Sequence, residues 1–543
     1  MRRLLSKRIG IGLLVVLFLG TSAGVLNEKD KYFEIAKNLE IFTSVYKELN
    51  THYVDDLDPN TIMRTGIDAI MNSLDPYTVY YSESQVESYR LNDDNRYNGL
   101  GASSKEVDGK VTVVEVYKDG PSYEAGILVG DQITSINGQT TEGRSYEDVL
   151  AFLRGFPGTS VQMGIYRPQD RKKYSFDLTR SAVDIPNVPY SGMVSDNVGY
   201  ITLTTFTQNA GKNIAAALRE LKKNNELEGL ILDLRSNGGG LLAEAIDILG
   251  IFLPKGSPVV TTKGKVRDRD QAYSTRRTPV DVDMPIVVLI NKSSASASEI
   301  VSGAIQDYDR GVIMGQRSYG KGLVQNQKEV GYNSRIKLTT SKYYIPSGRC
   351  IQSVAYEDGE PKDIPDDERE VFKTKNGRPV LDGGGVTPDV KLAPFVAAEV
   401  LRALEEKNLI FKYVDEYIGK KSDAPELTEL TFDDYKGFEQ YLDKMSFSFD
   451  TEIEKTLTQL IEQTEDKTEL NSEVASIKSK VLSEKSDDIQ QYQTDIVKYI
   501  EIELAKRYHF QEGKAYQRLK NDPEVEAAIE LLGHSSKYKA ILR

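Results

Sequence analysis

The chain has 543 residues, more than one hydrophobic core usually organises, so two to four domains are expected. Its 69 Lys and Arg stand against 82 Asp and Glu, a net charge of −13, which speaks against a nucleic-acid groove and offers no attraction to anionic lipid. A single cysteine, Cys350, and three histidines, His52, His509 and His534, exclude a disulfide framework and a Cys/His zinc cluster.

In chain order, Arg2, Arg3, Lys7 and Arg8 precede an apolar run over residues 9–20 and the small residues Thr21-Ser22-Ala23. This is the layout of a signal peptide occupying residues 1–26. An uncleaved anchor over residues 9–26 is the competing reading, weakened by four glycines in that stretch. Export to the periplasm or cell envelope is expected, with the inner membrane reached only through the anchor alternative.

Residues 27–90 place Phe33, Ala36, Leu39 and Phe42 at helical spacing and close on Ser73-Leu-Asp-Pro-Tyr77, which reads as an N-terminal helical region. Residues 91–182 hold β-type runs at 111–117, 132–136, 161–166 and 173–178 and one helical stretch, 145–154. Turn dipeptides Asp119-Gly120, Asn137-Gly138 and Pro157-Gly158 punctuate them. Over residues 183–393, buried-type strands at 199–203, 229–234, 258–262, 285–290 and 311–314 alternate with helices, the pattern of an α/β domain with a mainly parallel sheet. Residues 394–543 change to long Glu/Lys-rich helical segments (396–406, 432–445, 451–463, 489–506), read as a separate helical region. The charged stretch 358–378 reads as a surface insertion.

Three segments of the α/β block carry chemistry. The strand 285–290 runs through Asn291-Lys-Ser-Ser-Ala-Ser-Ala-Ser298 into a helix, which sets serines at the positive end of a helix dipole. Serines there are more commonly caps, so the run needs partners. One is Asp233-Leu-Arg-Ser-Asn-Gly-Gly-Gly240, a strand ending in three glycines whose N–H groups suit an oxyanion; Walker and Rossmann glycine spacings are missing. The other is Lys321, flanked by Gly320 and Gly322. All three histidines lie outside this block, so a Ser-His-Asp triad is disfavoured and a lysine freed of its proton by burial must act as the base.

In order and jointly, these motifs resemble the carboxyl-terminal processing (tail-specific) serine peptidases over residues 30–393. Ser73-Leu-Asp-Pro76, Gly320-Lys-Gly-Leu-Val-Gln325, Tyr344-Ile-Pro-Ser-Gly348 and Gly385-Val-Thr-Pro-Asp389 extend the match. The resemblance implies a multidomain α/β protein: a crotonase/ClpP-like peptidase core with an inserted PDZ β-domain, N-terminal helices and a C-terminal helical region. It implies Ser296 as nucleophile, Lys321 as general base and Gln325 as the side chain orienting the lysine, with Ala297 N–H and a glycine N–H, Gly238 before Gly239, as the oxyanion hole. Asn98-Gly-Leu-Gly-Ala102 is similar to a PDZ carboxylate loop, with Gly99, Leu100, Gly101 and Ala102 holding a peptide terminus. The implied activity is endopeptidase hydrolysis of exported proteins chosen by their free C-termini, with neither cofactor nor metal. The helical regions are open to an adaptor protein or to a second copy of the chain. A catalytically inactive PDZ scaffold is the alternative from another class.

Overall fold

The computed structural model describes residues 32–543 except residues 84, 87–96, 268–269, 353, 358–359, 420–423, 464–467 and 486; the signal-peptide or anchor segment lies outside the described residues. The chain falls into two units, Met1–Tyr80 and Tyr81–Arg543.

The first unit holds a helix over residues 32–52 and a second, Pro59–Asn72, started by Pro59 at its first position and by Asp58, whose carboxylate accepts from the N–H groups of Asn60 and Thr61. Tyr46 reaches across to donate to the Pro59 carbonyl at 2.7 Å, and Phe42 rests on Gly66. The Ser-Leu-Asp-Pro stretch that follows is a side-chain-made turn: Asp75 Oδ1 accepts from Tyr77 N–H and Thr78 N–H at 2.8 and 2.9 Å.

The second unit begins with a β-domain. Strands β1 (Ala102–Val107), β2 (Lys110–Val116), β3 (Gln132–Ile136), β4 (Ser160–Arg167) and β5 (Lys172–Thr179) form an antiparallel sheet in that order, with the short helix α1 (Pro121–Glu124) between β2 and β3. Helix α2 (Tyr146–Leu153), capped by Ser145, buries Val149 against a core that includes Val113, Ile133, Val161 and Ile165. Strand β1 is an edge strand, and the Tyr146 hydroxyl donates to its Ser104 carbonyl.

The α/β core is a six-stranded sheet of β6 (Ser191–Met193), β7 (Val198–Thr202), β8 (Gly229–Asp233), β11 (Ile286–Ile290), β12 (Val312–Gly315) and β15 (Val390–Lys391), all parallel except β6. Strands β8 and β11 are buried along their whole length, as expected of a parallel sheet covered on both faces. Helices α3 (Ala210–Asn224), α4 (Leu242–Phe252) and α5 (Ala297–Asp307) cover one face. The run at 258–262, expected among the parallel strands, belongs elsewhere. It is β9 (Pro258–Gly264), in a separate antiparallel sheet with β10 (Gln271–Ser274), β14 (Ser334–Tyr344) and, through β14, β13 (Leu323–Gly331). Beyond Val259 and Val260 its burial alternates, the signature of a one-sided sheet that its short apolar run concealed.

The region after Pro394 is helical: α6 (Glu399–Glu406), α7 (Leu409–Ile418), α8 (Tyr435–Lys444), α9 (Glu452–Gln463), α10 (Thr468–Lys485), α11 (Gln493–Leu519, kinked at His509 and Phe510), α12 (Pro523–Gly533) and α13 (Ser535–Ile541). It has a core of its own around Leu404, Tyr413, Phe438 and Ile500, yet it also braces its neighbours. Phe411 enters the β-domain core, flanked by the ion pairs Lys412–Asp108 and Lys514–Glu115, both 2.8 Å. Val525, Ala528 and Tyr538 cover the second face of the parallel sheet, against Tyr200, Ile231, Val287 and Leu289.

Tyr538 anchors this cover. Its hydroxyl accepts from Ile286 N–H and donates to Ile286 C=O, each at 2.9 Å, at the entry of β11. Arg235 adds a polar latch at the other end of the sheet, pairing with Asp233, Asp522 and Glu524 at 2.7, 2.9 and 2.6 Å. Replacing Tyr538 by Phe leaves a buried backbone N–H without its acceptor and is expected to lower stability by about 1–3 kcal/mol, read as a fall in the urea unfolding midpoint at unchanged slope.

Candidate active site

Strands β8, β11 and β12 run parallel, so their C-terminal ends share one edge of the sheet, and the three turns leaving that edge converge. The first turn follows β8. Asn237 is fully buried within it: its Nδ2 donates to Leu203 C=O at 2.8 Å, and its Oδ1 accepts the Gly239 N–H at 2.9 Å. Its backbone oxygen accepts from Ser298 Oγ at 2.8 Å and from Ala295 N–H at 3.0 Å, both in the second turn. Asn237 thus fastens the glycine turn to the serine turn. Nothing in the sequence pattern singled it out.

Gly239 must be glycine for two reasons. Its φ is +100°, and a Cβ there would lie 2.7–2.9 Å from Ala295 O, Ser296 Cβ and Ala297 N. The backbone of the glycine turn therefore lies directly against the nucleophile candidate. The Gly239 N–H is spent on Asn237, whereas the N–H groups of its neighbours Gly238 and Gly240 make no hydrogen bond among the described residues.

The second turn carries the serines. Ser294 is a structural residue, donating to Leu234 C=O at 2.8 Å and accepting the Asn291 N–H at 2.9 Å. Ser298 is buried and bonded to Asn237. Ser296 alone of these three is half-buried, and it stands at the N-cap of α5 with φ +56° and ψ −113°, a backbone state that a non-glycine residue adopts only when its surroundings enforce it. The next residue, Ala297, opens the helix, so its N–H has no partner within it.

The third turn follows β12 and carries Lys321, half-buried, into β13. Tyr343 donates to the Lys321 carbonyl, and Gly322 N–H donates to Gln352 Oε1 at 2.9 Å, which fixes both ends of the peptide that follows the lysine. Burial lowers the Lys321 amine below the ordinary 10.5, and the like charge of Lys337 lowers it further, while Glu299 opposes both. Gln325 lies four residues on, in β13, with its Nε2 directed to Thr339 Oγ1 at 3.3 Å.

Serine turn and lysine turn meet at Glu299, a residue that sequence inspection treats only as a favourable charge near a helix N-terminus. It is fully buried. Its Oε2 accepts the Ser296 N–H and the Lys321 N–H, each at 2.8 Å, so the two backbone nitrogens cannot be farther apart than twice that length. Its Oε1 accepts the Ser318 hydroxyl at 2.5 Å and the Gly320 N–H at 2.6 Å. Burial pushes its carboxyl up to about 7, against these four hydrogen bonds that favour the charged form.

In the β-domain, Gly99 pairs with Ser181, Leu100 is buried, and Gly101 (φ +74°) lies so close to Gly120 and Pro121 that a Cβ would crowd them at 3.0–3.4 Å. Ala102 is the first residue of the edge strand β1. Among the described residues, no group of three or more His, Cys, Asp or Glu is arranged to hold a metal ion.

Comparison with known proteins places these parts. Residues 197–360 match peptidase family S41, residues 112–167 match a PDZ domain, and residues 400–532 match the C-terminal helical domain described for probable PDZ-proteases. A carboxy-terminal-processing protease of Bartonella bacilliformis is 33% identical over 331 residues, 60% of this chain and 75% of the relative. Carboxy-terminal processing protease CtpB of Bacillus subtilis is 33% identical over 324 residues, 59% of this chain and 67% of the relative. Among solved structures, the photosystem II D1 C-terminal processing protease matches at 26% identity and a TM-score of 0.36, covering 67% of this chain and 96% of its own. The chain belongs to the carboxy-terminal processing proteases of peptidase family S41, serine-type peptidases that carry a PDZ domain.

Proposed function

We propose that this chain hydrolyses peptide bonds with Ser296 as nucleophile and Lys321 as general base, on protein substrates that the PDZ domain selects by their free C-termini. The observation that carries this reading is the shared carboxylate oxygen: one atom of Glu299 holds the backbones of the strained serine and the half-buried lysine together, beside a glycine N–H left open.

The chemistry runs as acyl transfer. The neutral Lys321 amine takes the Ser296 proton as Oγ attacks the substrate carbonyl. The developing oxyanion is held by the N–H groups of Ala297 and Gly238. Gly239 does not serve as donor, because Asn237 occupies its N–H. The lysine passes its proton to the leaving amine and then draws one from the water that opens the acyl-enzyme. Gln325, whose amide nitrogen is engaged with Thr339, turns its carbonyl oxygen to the lysine amine and keeps it aimed at the serine. A peptide terminus enters the PDZ loop at Gly99-Leu-Gly-Ala102, its carboxylate taking the backbone N–H groups and its chain adding to the edge of β1.

The substrates are exported proteins, processed in the periplasm or cell envelope. Residues 1–26 carry the address, and among the described residues no helix is long and apolar enough to cross a membrane. The helical regions at either end of the chain are the surfaces for an adaptor or a second copy.

Ser296→Ala and Lys321→Ala are each expected to lower kcat/KM on an unfolded protein with an apolar C-terminus by roughly 10³-fold or more, measured by mass spectrometry of fragments, with melting curves retained. Cutting that survives Ser296→Ala overturns the assignment. Because only the neutral amine is a base, kcat/KM rises as pH climbs through a lysine pKa below 10.5. Lys337→Gln removes a charge that lowers that pKa, so the rising limb moves to higher pH. Gly101→Val, which forces a side chain into the contact with Gly120, is expected to raise KM for substrates ending in a free apolar tail. The same variant leaves cleavage of a short peptide without that tail unchanged.

A further inference from the structure

Glu299 does more than an ordinary helix cap requires. In a capping box, the third helical residue returns to the N-cap N–H and no farther. Glu299 makes that bond, to Ser296, but its other three donors, Ser318, Gly320 and Lys321, all come from the lysine turn. Ser318 is pinned in turn from below, accepting the Val386 N–H at 2.7 Å and donating its own N–H to Val386 C=O at 3.1 Å. The Gly385-Val-Thr-Pro-Asp389 stretch therefore supports Ser318, Ser318 supports Glu299, and Glu299 supports both members of the reacting pair.

Resting on the reading of Ser296 as nucleophile and Lys321 as base, we propose that Glu299 is a positioning residue that sets the spacing of nucleophile and base by tying both backbones to one carboxylate oxygen. It does not touch substrate, being fully enclosed beneath the two turns. All four groups it meets donate hydrogen bonds, so only a group with acceptors on both sides fits. A glutamine offers one oxygen and one NH2, and whichever way it turns, two donors face two donors. An aspartate is one methylene too short to reach both turns from α5. The helix can still form in either case, but either Ser296 loses the bond that opposes its strained φ and ψ or, with a glutamine oxygen turned to it, the Ser318 and Gly320 donors are left facing an NH2.

The consequence falls on turnover rather than on binding. The charged group that faces Glu299 is Lys321, which in turn feels the like charge of Lys337. With the Glu299 carboxyl raised by burial to about 7, its ionisation contributes to the rise of wild-type activity across neutral pH; a glutamine has no proton to lose.

The experiment compares wild type, Glu299→Gln, Ser318→Ala and Ser296→Ala in the full chain, with kcat and KM measured between pH 5 and pH 10 and folding followed by circular dichroism. Glu299→Gln is expected to fold, to keep KM, and to lose about 100-fold in kcat, the scale on which a misplacement of about 1 Å is felt. Its profile also lacks the component near pH 7 while the lysine limb remains. A folded Glu299→Gln enzyme with wild-type kcat overturns the inference. If that variant does not fold, Ser318→Ala decides: it removes one of the four donors without touching Ser296 or Lys321, and a kcat lowered by roughly tenfold at unchanged KM supports the clasp, whereas wild-type kcat refutes it. Ser296→Ala separates the two levels, since activity surviving there removes the nucleophile assignment itself.

Discussion

Two loops that leave different strands have to be held to each other within a bond length or two, in a place where a substrate must still enter. The buried carboxylate of Glu299 meets that constraint, and much of the surrounding structure follows from it. An ionised carboxylate in such a place is costly unless nearly all its lone pairs are filled, and four donors from two turns fill them. The donors are mostly backbone N–H groups, which do not rearrange as side chains do. The geometry is thereby fixed before any substrate arrives, the condition under which aligned dipoles and a nearby base are most effective.

Around this clasp the remaining fasteners are amides and hydroxyls. Asn237 joins the glycine turn to the serine turn, Asn291 accepts the Ser236 N–H at 2.9 Å and the Ser293 N–H at 3.1 Å, and Gln352 holds Gly322. Asp389, deeper in the sheet, accepts from Ile313 N–H, Gln306 and Arg378 at 2.6–2.9 Å and so fixes the strap that carries Val386. A carboxylate near a lysine raises its pKa. The carboxylate nearest Lys321 does so, but burial and the like charge of Lys337 outweigh it. The site therefore combines many polar fasteners with a poorly solvated amine.

Much of this was legible in the sequence, and the limits follow from what a one-dimensional pattern records. The strands over 229–234 and 285–290 were readable because uninterrupted apolar runs bounded by glycine and small residues are how covered parallel strands appear, and they differ from the observed β8 and β11 by a residue at one end. Ser296 and Lys321 stood out only through their motifs; either one alone looks like a cap or a loop charge. The roles of Glu299, read only as a favourable helix-start charge, and of Asn237 were not legible because their partners lie 19 to 61 residues away, and no spacing rule reports a side chain that turns inward to meet a distant backbone. The hairpin of β13 and β14 was overlooked for a similar reason, its strands being polar and only partly buried. For Gly238 and Gly239, the family resemblance could rank them, but identical residues in a row could not reveal that one N–H was already in use.

The cover that α12 and α13 lay over the parallel sheet sets an order of events during synthesis. Strands β7, β8, β11 and β12 are all made long before residues 525–538, and until those residues emerge one apolar face of the sheet has nothing to lie against. The contact between Ile286 and its hydroxyl partner Tyr538 closes a loop of 252 residues, a long-range closure whose entropic cost must be met before the contact repays it. A nascent chain holding every residue of the proposed reacting centre would thus still lack this cover on the sheet. The sheet that carries the three converging turns owes one of its two faces to residues far downstream of every strand in it.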